Sequence, residues 1–265
     1  MKMPCSWHEE YEGQLSVPIN NEILERRVMK MIEMRLKPFI ARARLKGRHW
    51  LKRMKPRVGV ESINDFYKRH WAGEEPISNR FIGQDLSSFF FTSADSKEYR
   101  EALKTSFPDS CDQIINQASD VVYNRFDFLG MGDLLLGKDV DWHIDFKSRK
   151  RWPGGHYSGV RIVDLDENKD VKIPWELSRL QFFTDLGRAY WLTGNNIYVE
   201  KFKELLSDWE KKNPVDMGLN WTCSMEVAIR AINIVWAIYF FAGAESIDDE
   251  FVKKAIRLLY YHGLH

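Results

Sequence analysis

A repeated pair of helical segments after Pro174 constrains the fold most strongly. Four segments there have helical periodicity and alternate between a more apolar and an amphipathic pattern: WELSRLQFFTDLGRAYWLTG, NIYVEKFKELLSDWEKKNP, SMEVAIRAINIVWAIYFFAG and IDDEFVKKAIRLLYYHGLH. Each is predicted as one helix. Glu176 in the first pair aligns with Glu226 in the second, so the period is about 50 residues, which is typical of stacked helical hairpins.

The first helix of each pair is the more apolar, and we therefore expect it to be the inner one. Successive hairpins curve into a solenoid or close into an (α/α) toroid. The sequence predicts an all-α fold, an incomplete (α/α) toroid of antiparallel helical hairpins over residues 58–265. Within it, residues 96–107 and 109–126 are predicted as two short helices, the second capped by Asp109 or Ser110.

Two regions depart from this helical pattern. Between residues 126 and 159 aromatic residues alternate with glycine and charge, which predicts an irregular extended segment with short strands at most. Residues 1–57 form a predicted N-terminal arm, basic and amphipathic, with thirteen Lys or Arg against Glu33 between Arg26 and Arg57. A solvated basic face explains this arm, and so does contact with an anionic membrane or an acidic polysaccharide. Because no nucleic-acid motif accompanies the charge, we expect no nucleic-acid partner.

The third of the helical segments contains a polar stripe in an apolar surface. Glu226, Arg230 and Asn233 fall within a wedge of roughly 60° on a helical projection. An ion pair between Glu226 and Arg230 at i, i+4 explains the stripe, and so does a wet cleft that the stripe faces. We expect Glu226 to hold the Arg230 guanidinium in place, with Arg230 orienting a cleft wall.

Several classes of function are disfavoured by composition. The hydrophobic share of 44% and the charged share of 29% are those of an ordinary globular protein. Cys5, Cys111 and Cys223 are widely spaced, and no cluster of His, Cys and acidic residues has metal-ligand spacing, so we expect free thiols, no metal and no cofactor. The opening residues lack the pattern of a secretory signal, and no clean apolar stretch spans a bilayer, so we expect a cytoplasmic location.

Three stretches resemble the N-terminal helical domain of the heparinase II/III family of polysaccharide lyases: DWHIDFKSRKRWP, the first helical pair, and NPVDMGLNWTCSMEVAIRAINIVWA. The resemblance implies β-elimination of an acidic, uronic-acid-containing polysaccharide, in which an Asn or His neutralises the carboxylate and Tyr or His groups move protons. In the family that Asn lies in an Asn-His motif, and this sequence contains no Asn-His dipeptide. We therefore assign no catalytic residue, and expect the N-terminal module of a longer lyase that is inactive without its C-terminal region.

The same resemblance marks the residues that we expect to face a substrate. Asn220 and Trp221 precede the second inner helix, where an amide bonds sugar hydroxyls and an indole stacks on a pyranose, although capping and core packing also explain them. The remaining candidates are the rim residues and two residues of the extended segment: Glu176, Arg179, Glu226, Arg230, Trp142 and His143. The last two either line the cleft or pin the extended segment to the helices. A non-catalytic, glycan-binding or scaffolding protein of exopolysaccharide metabolism is the alternative function.

Overall fold

The computed structural model describes residues 62–70, 95–130, 132–163 and 168–265. Its helices are α1 Ile63–His70, α2 Ser96–Ser106, α3 Pro108–Val122, α4 Lys172–Ser178, α5 Phe182–Thr193, α6 Ile197–Lys212, α7 Ser224–Phe241 and α8 Asp249–Leu264. Its strands are β1 Arg125–Phe126, β2 Leu134–Leu135, β3 Ile144–Asp145 and β4 Lys150–Arg151. The predicted basic arm, residues 1–57, and Cys5 lie outside the described residues.

Two antiparallel hairpins, α5–α6 and α7–α8, form the centre of the fold, and the prediction of a mostly helical chain is confirmed. Helix α5 packs against α3, α6 and α7. Helices α5 and α7 run side by side in the same direction, since the Trp191 Nε1 donates to the Phe240 carbonyl at 2.6 Å near their C-terminal ends. Their close approach depends on Gly187, where a Cβ would lie 2.5 Å from Phe240.

The predicted helix that contains Glu176 is broken in two. We predicted one continuous helix up to Gly194, which is wrong, because α4 ends at Ser178 and α5 begins at Phe182. Between them Leu180 has a positive φ of 58° and its side chain is fully buried. The break turns Leu180 into the core and frees backbone carbonyls, which side chains from α7 then bind.

The N-terminal ends of α8 and α3 differ in whether a side chain caps the helix. Helix α8 is capped by Asp248, whose side chain accepts from the Phe251 amide at 2.7 Å. The predicted cap of α3 at Asp109 or Ser110 is wrong, since Phe107 occupies the cap position without a side-chain hydrogen bond. Pro108 sits in the first turn, where a missing amide costs nothing, and this shifts the start of the helix.

The extended segment contains two short antiparallel strand pairs, as the alternation of residue types indicated. Strands β1 and β2 pair Arg125 with Leu135, and β3 and β4 pair Asp145 with Lys150. Trp142 and Trp152 flank the second pair and are almost fully buried. Two indoles therefore fix this segment to the helical body, and β3 packs against α4.

Helix α7 is long and apolar enough to cross a membrane by length and composition, with a mean hydropathy of 1.4 over its 18 residues. The expectation from sequence concerned a clean apolar stretch, and this helix contains two charged residues, Glu226 and Arg230. In the fold α7 packs against α5 and α8, and its Glu226 and Arg230 are buried. These are the surroundings of the central helix of a helical domain.

Candidate functional site

The predicted rim residues come together where α7 begins. Arg179 donates two hydrogen bonds to the Glu226 carboxylate, from Nε to Oε2 at 2.7 Å and from Nη2 to Oε1 at 2.9 Å. A further bond runs from Arg179 Nη1 to Glu176. The hydrogen bond to Glu226 is the main reason that the Arg179 pKa is raised. Glu226 is enclosed, whereas Glu176 and Arg179 keep 16% and 22% of their side chains exposed, so a ligand reaches the cluster only from their side.

Arg230 does not pair with Glu226 as predicted. Its Nε donates to His262 Nε2 at 2.8 Å, and its two Nη groups donate to the carbonyls of Ser178 and Asn220 at 3.3 and 2.8 Å. The physical reason is that both Glu226 oxygens already accept from Arg179. Glu226 acts on Arg230 only through its field, and burial lowers the Arg230 pKa to about 9, which leaves the guanidinium charged at neutral pH.

The polar stripe of α7 forms hydrogen bonds with the residues at the break between α4 and α5. Arg230 binds the Ser178 carbonyl, and the Asn233 amide donates to the Arg179 carbonyl at 2.8 Å. Glu226 holds the side chain of Arg179 itself. All three members of the stripe thus contact the same short stretch, which replaces the hydrogen bonds that a continuous helix would have made.

His262 completes this network, and sequence reasoning missed it. Its Nδ1 lies 2.8 Å from the Leu258 carbonyl and must donate there, so Nε2 is the acceptor for Arg230 and the ring is neutral. Burial, reinforced by the Arg230 charge, lowers its pKa to about 3. The rings of Trp209 and Trp221 pack against the His262 ring. These two tryptophans are the sequence feature that could have indicated a buried histidine.

Asn220 and Trp221 lie in the interior. The Asn220 amide donates to the Trp142 carbonyl at 2.9 Å and to Asn213 Oδ1 at 2.8 Å, and Trp221 Nε1 donates to the Asn213 carbonyl at 3.2 Å. Both side chains have no exposed surface. Neither is the cap of α7, which is Cys223. Their contacts are those of core residues that join the extended segment to the helices.

Trp142 and His143 pin the extended segment rather than face an open surface. Trp142 Nε1 donates to Asp208 on α6 at 2.8 Å. His143 lies beneath Gly218, where a Cβ would come within 2.9 Å of its Nε2. Burial lowers the His143 pKa to about 4, so this imidazole is neutral at physiological pH.

A cavity of about 240 Å³ lies apart from these residues, between α6 and α8. Charged side chains from both helices line it, namely Glu210, Lys211, Lys254 and Arg257. Arg257 and Lys254 pair with Glu210 at 2.8 and 3.4 Å. Across the described ranges no group of three or more His, Cys, Asp and Glu side chains has the geometry of a metal site.

Known lyases share sequence with this chain over limited stretches. A heparin-sulfate lyase of Bacteroides stercoris is 30% identical over 79 residues, which are 30% of this chain and 9% of the relative. A heparin-sulfate lyase of Pedobacter heparinus is 24% identical over 134 residues, which are 45% of this chain and 17% of the relative. The chain therefore spans less than a fifth of the length of these relatives.

A crystal structure of a mutant of heparan sulfate lyase HepC from Pedobacter heparinus aligns with a TM-score of 0.45 at 18% identity. The alignment covers 69% of this chain and 29% of the solved one. The family model described as Heparinase II/III N-terminus matches residues 77–265. That match includes α2 to α8 and all of the site residues above. The chain therefore belongs to the heparinase II/III family and contains its N-terminal domain.

Proposed function

We propose that this chain is the helical module of a polysaccharide lyase that cleaves a uronic-acid-containing, acidic polysaccharide by β-elimination. The observation that carries the proposal is the family match over residues 77–265. The two relatives are called heparin-sulfate lyases, and heparin sulfate is a polyanion of the proposed class. The hairpins α5–α6 and α7–α8 would form part of an (α/α) toroid, in keeping with the side-by-side packing of α5 and α7.

We further propose that the module has no lyase activity alone. β-Elimination needs an amide or imidazole at the uronate carboxylate, a base for the C5 proton and an acid for the leaving oxygen. The two predicted site residues that carry an amide or an imidazole, Asn220 and His143, are buried in the fold, and so is His262. The 265-residue sequence contains no Asn-His dipeptide of the kind that the family resemblance would require.

Among the eight predicted substrate residues, Glu176 and Arg179 are the candidates for direct contact. Arg179 is partly exposed, and although its fork is bonded to Glu226, its charge attracts carboxylate or sulfate groups to this edge of the cluster. The other six would act by holding this end of the domain rigid. A cytoplasmic location and contact of the basic arm with an anionic membrane stay predictions from the sequence.

The test is a lyase assay on two proteins, the purified 265-residue chain and the product of the whole gene. β-Elimination leaves an unsaturated uronate that absorbs ultraviolet light, so turnover is read directly with heparan sulfate, alginate or a native exopolysaccharide. We expect steady absorbance growth with the whole gene product and none with the chain alone. Turnover by the chain alone would contradict the proposed inactivity.

The alternative function is a non-catalytic acidic-glycan-binding protein. The enclosure of Asn220, His143 and His262 favours it, because none of these groups reaches solvent for proton transfer. Binding of an acidic polysaccharide without turnover by the whole gene product would support this alternative. The genomic sequence after codon 265 provides a second check, since a downstream Asn-His motif favours the lyase.

A further inference from the structure

The hairpin of β3 and β4 concentrates positive charge on an exposed turn. Four of the five residues from 147 to 151 are cationic: Lys147, Arg149, Lys150 and Arg151, here called the basic hairpin. All four are exposed. Asp145 is only 2% exposed, and Asp141 pairs with Arg151 at the base, so the positive charge at the exposed surface comes mainly from Lys147, Arg149 and Lys150.

The turn is held rigid from inside by the buried carboxylate of Asp145. It accepts hydrogen bonds from the Lys147 amide at 2.8 Å and from the amide and hydroxyl of Ser148 at 3.1 and 2.7 Å. The Asp170 amide, just before α4, adds a bond of 3.0 Å. Burial is the largest influence and raises the Asp145 pKa, yet these hydrogen bonds together lower it. The carboxylate thus stays ionised and ties the turn to the entrance of α4.

The base of the hairpin is anchored as firmly as its tip. Arg151 Nε donates to both Asp141 oxygens at 2.9 and 3.2 Å, and the Trp152 amide donates to the His143 carbonyl at 3.0 Å. Arg149 has a positive φ of 59°, so the backbone turns sharply there. A rigid platform reduces the entropy that cationic side chains lose when they bind a ligand.

We propose that the basic hairpin binds an acidic polysaccharide through its sulfate and carboxylate groups. The proposal rests on the proposed function for the class of ligand, and adds a binding surface outside the cluster at Arg179. Arg149 has a planar fork that matches sulfate and carboxylate oxygens, whereas Arg151 is bonded to Asp141. The hairpin adjoins the cluster at Arg179 in the fold, since β3 packs against α4, which carries Glu176.

The aromatic residues of the hairpin favour a polysaccharide over single-stranded nucleic acid. Surfaces that hold single strands combine positive charge with exposed aromatic rings on which bases stack. Between residues 144 and 152, Phe146 packs against the core and Trp152 is 1% exposed. Exposed positive charge without exposed aromatic rings is better matched to a polysaccharide, whose sulfate and carboxylate groups lie on its outside, than to stacked bases.

The experiment compares two triple variants of the 265-residue chain with equal changes in net charge. The first is Lys147→Gln/Arg149→Asn/Lys150→Gln, with Asn chosen because it tolerates the left-handed backbone of Arg149.

The matched control is Lys97→Gln/Lys104→Gln/Lys138→Gln, which removes three exposed cations elsewhere on the surface. Affinity is measured by isothermal titration at two salt concentrations. The probes are a heparan sulfate oligosaccharide, hyaluronan, inorganic sulfate and single-stranded DNA, and thermal melts verify that each variant is folded.

We expect the hairpin variant to bind heparan sulfate about 10-fold more weakly, because each exposed ion pair contributes roughly 1.5- to 5-fold. The control should keep native affinity, and higher salt should weaken native binding by screening. Equal affinities of native chain and hairpin variant would overturn the inference, and so would equal weakening in the control. Tighter binding of DNA than of any saccharide, lost in the hairpin variant, would overturn the ligand class. The lyase proposal is judged separately, by turnover of the whole gene product.

Discussion

Replacing Arg230 by Met should lower the stability of the fold substantially. The guanidinium is fully enclosed and donates to the carbonyls of Ser178 and Asn220 and to His262. It also lies over the Trp209 ring, with Cζ 4.2 Å from the centroid. Methionine fills much of the stem but leaves three buried acceptors without a donor.

The magnitude follows from two opposing effects. A buried acceptor that loses its partner costs about 1–3 kcal/mol, so three of them cost roughly 3–9 kcal/mol. Against this, Met needs no burial of a cation, a cost that is visible in the lowering of the Arg230 pKa to about 9. The burial cost of the cation offsets part of this loss, so we expect a net loss of about 3 kcal/mol, at the lower end of the range for three unpaired acceptors.

The assay is thermal unfolding followed by circular dichroism. A loss of about 3 kcal/mol should lower Tm by roughly 6–12 °C in a chain of this size. The matched control is Arg125→Met, since Arg125 is 48% exposed and lies 3.7 Å from Asp120. An exposed pair of this kind contributes about 0–1 kcal/mol, so this variant should melt close to the native chain.

A second variant separates hydrogen bonding from charge. Arg230→Lys keeps the cation but presents one ammonium where the guanidinium serves three acceptors in different directions, so it should also be destabilised. If Arg230→Met melts within a degree or two of Arg125→Met, the acceptors are not paired through Arg230 and the reasoning is refuted. If Arg230 only oriented a cleft wall, as the sequence suggested, Arg230→Met would keep the stability of the native chain, so the same melt decides between the two interpretations.

Three further changes test the packing, the buried imidazole and a helix cap. Gly187→Ala should cost about 1–3 kcal/mol, because its Cβ would meet Phe240 at 2.5 Å, whereas Gly263→Ala has open space and should be neutral or stabilising in thermal melts. The native His262 pKa of about 3 lies below its ordinary 6.5, so protons favour unfolding and stability falls as pH drops below 6.5, by about 2 kcal/mol at pH 5. In urea titrations at several pH values, the free energy of unfolding of His262→Gln should fall less between pH 6.5 and pH 5 than that of the native chain. An equal fall in both proteins would count against this prediction. Asp248→Ala should remove about 1 kcal/mol through the lost cap, measured by the same titration.

Periodicity predicted the hairpins well because each helix buries one apolar face. The end of α5 and the limits of α6, α7 and α8 lie close to the predicted ones, since these boundaries coincide with local signals such as Gly194 after α5 and Asp248 before α8. The break at Leu180 carries no such signal. Neither Gly nor Pro marks it, and the local pattern stays helical through it. Only contacts from α7, distant in sequence, make the break favourable.

The candidate site was predicted in part for the same reason. Spacing along one helix placed Glu226 and Arg230 on one face, but it could not say which side chain from another element reaches them first. Arg179 donates to both Glu226 oxygens. His262, near the C-terminal end of α8, takes the place of a carboxylate beside Arg230. Partners across elements depend on packing, which a single sequence does not reveal.

The two sets of cations in this domain therefore have different physical roles. Arg230 is bonded in the interior, where its removal costs stability, and Arg179 is held by two carboxylates at the edge of that interior. Neither is free to follow a flexible polyanion. Lys147, Arg149 and Lys150 of the basic hairpin cost little to keep in water, and each contributes little to the fold. Recognition of a polyanion can therefore vary at the hairpin without disturbing the network that joins α4, α7 and α8, which is why loss of binding and loss of stability should separate cleanly between Lys147 and Arg230.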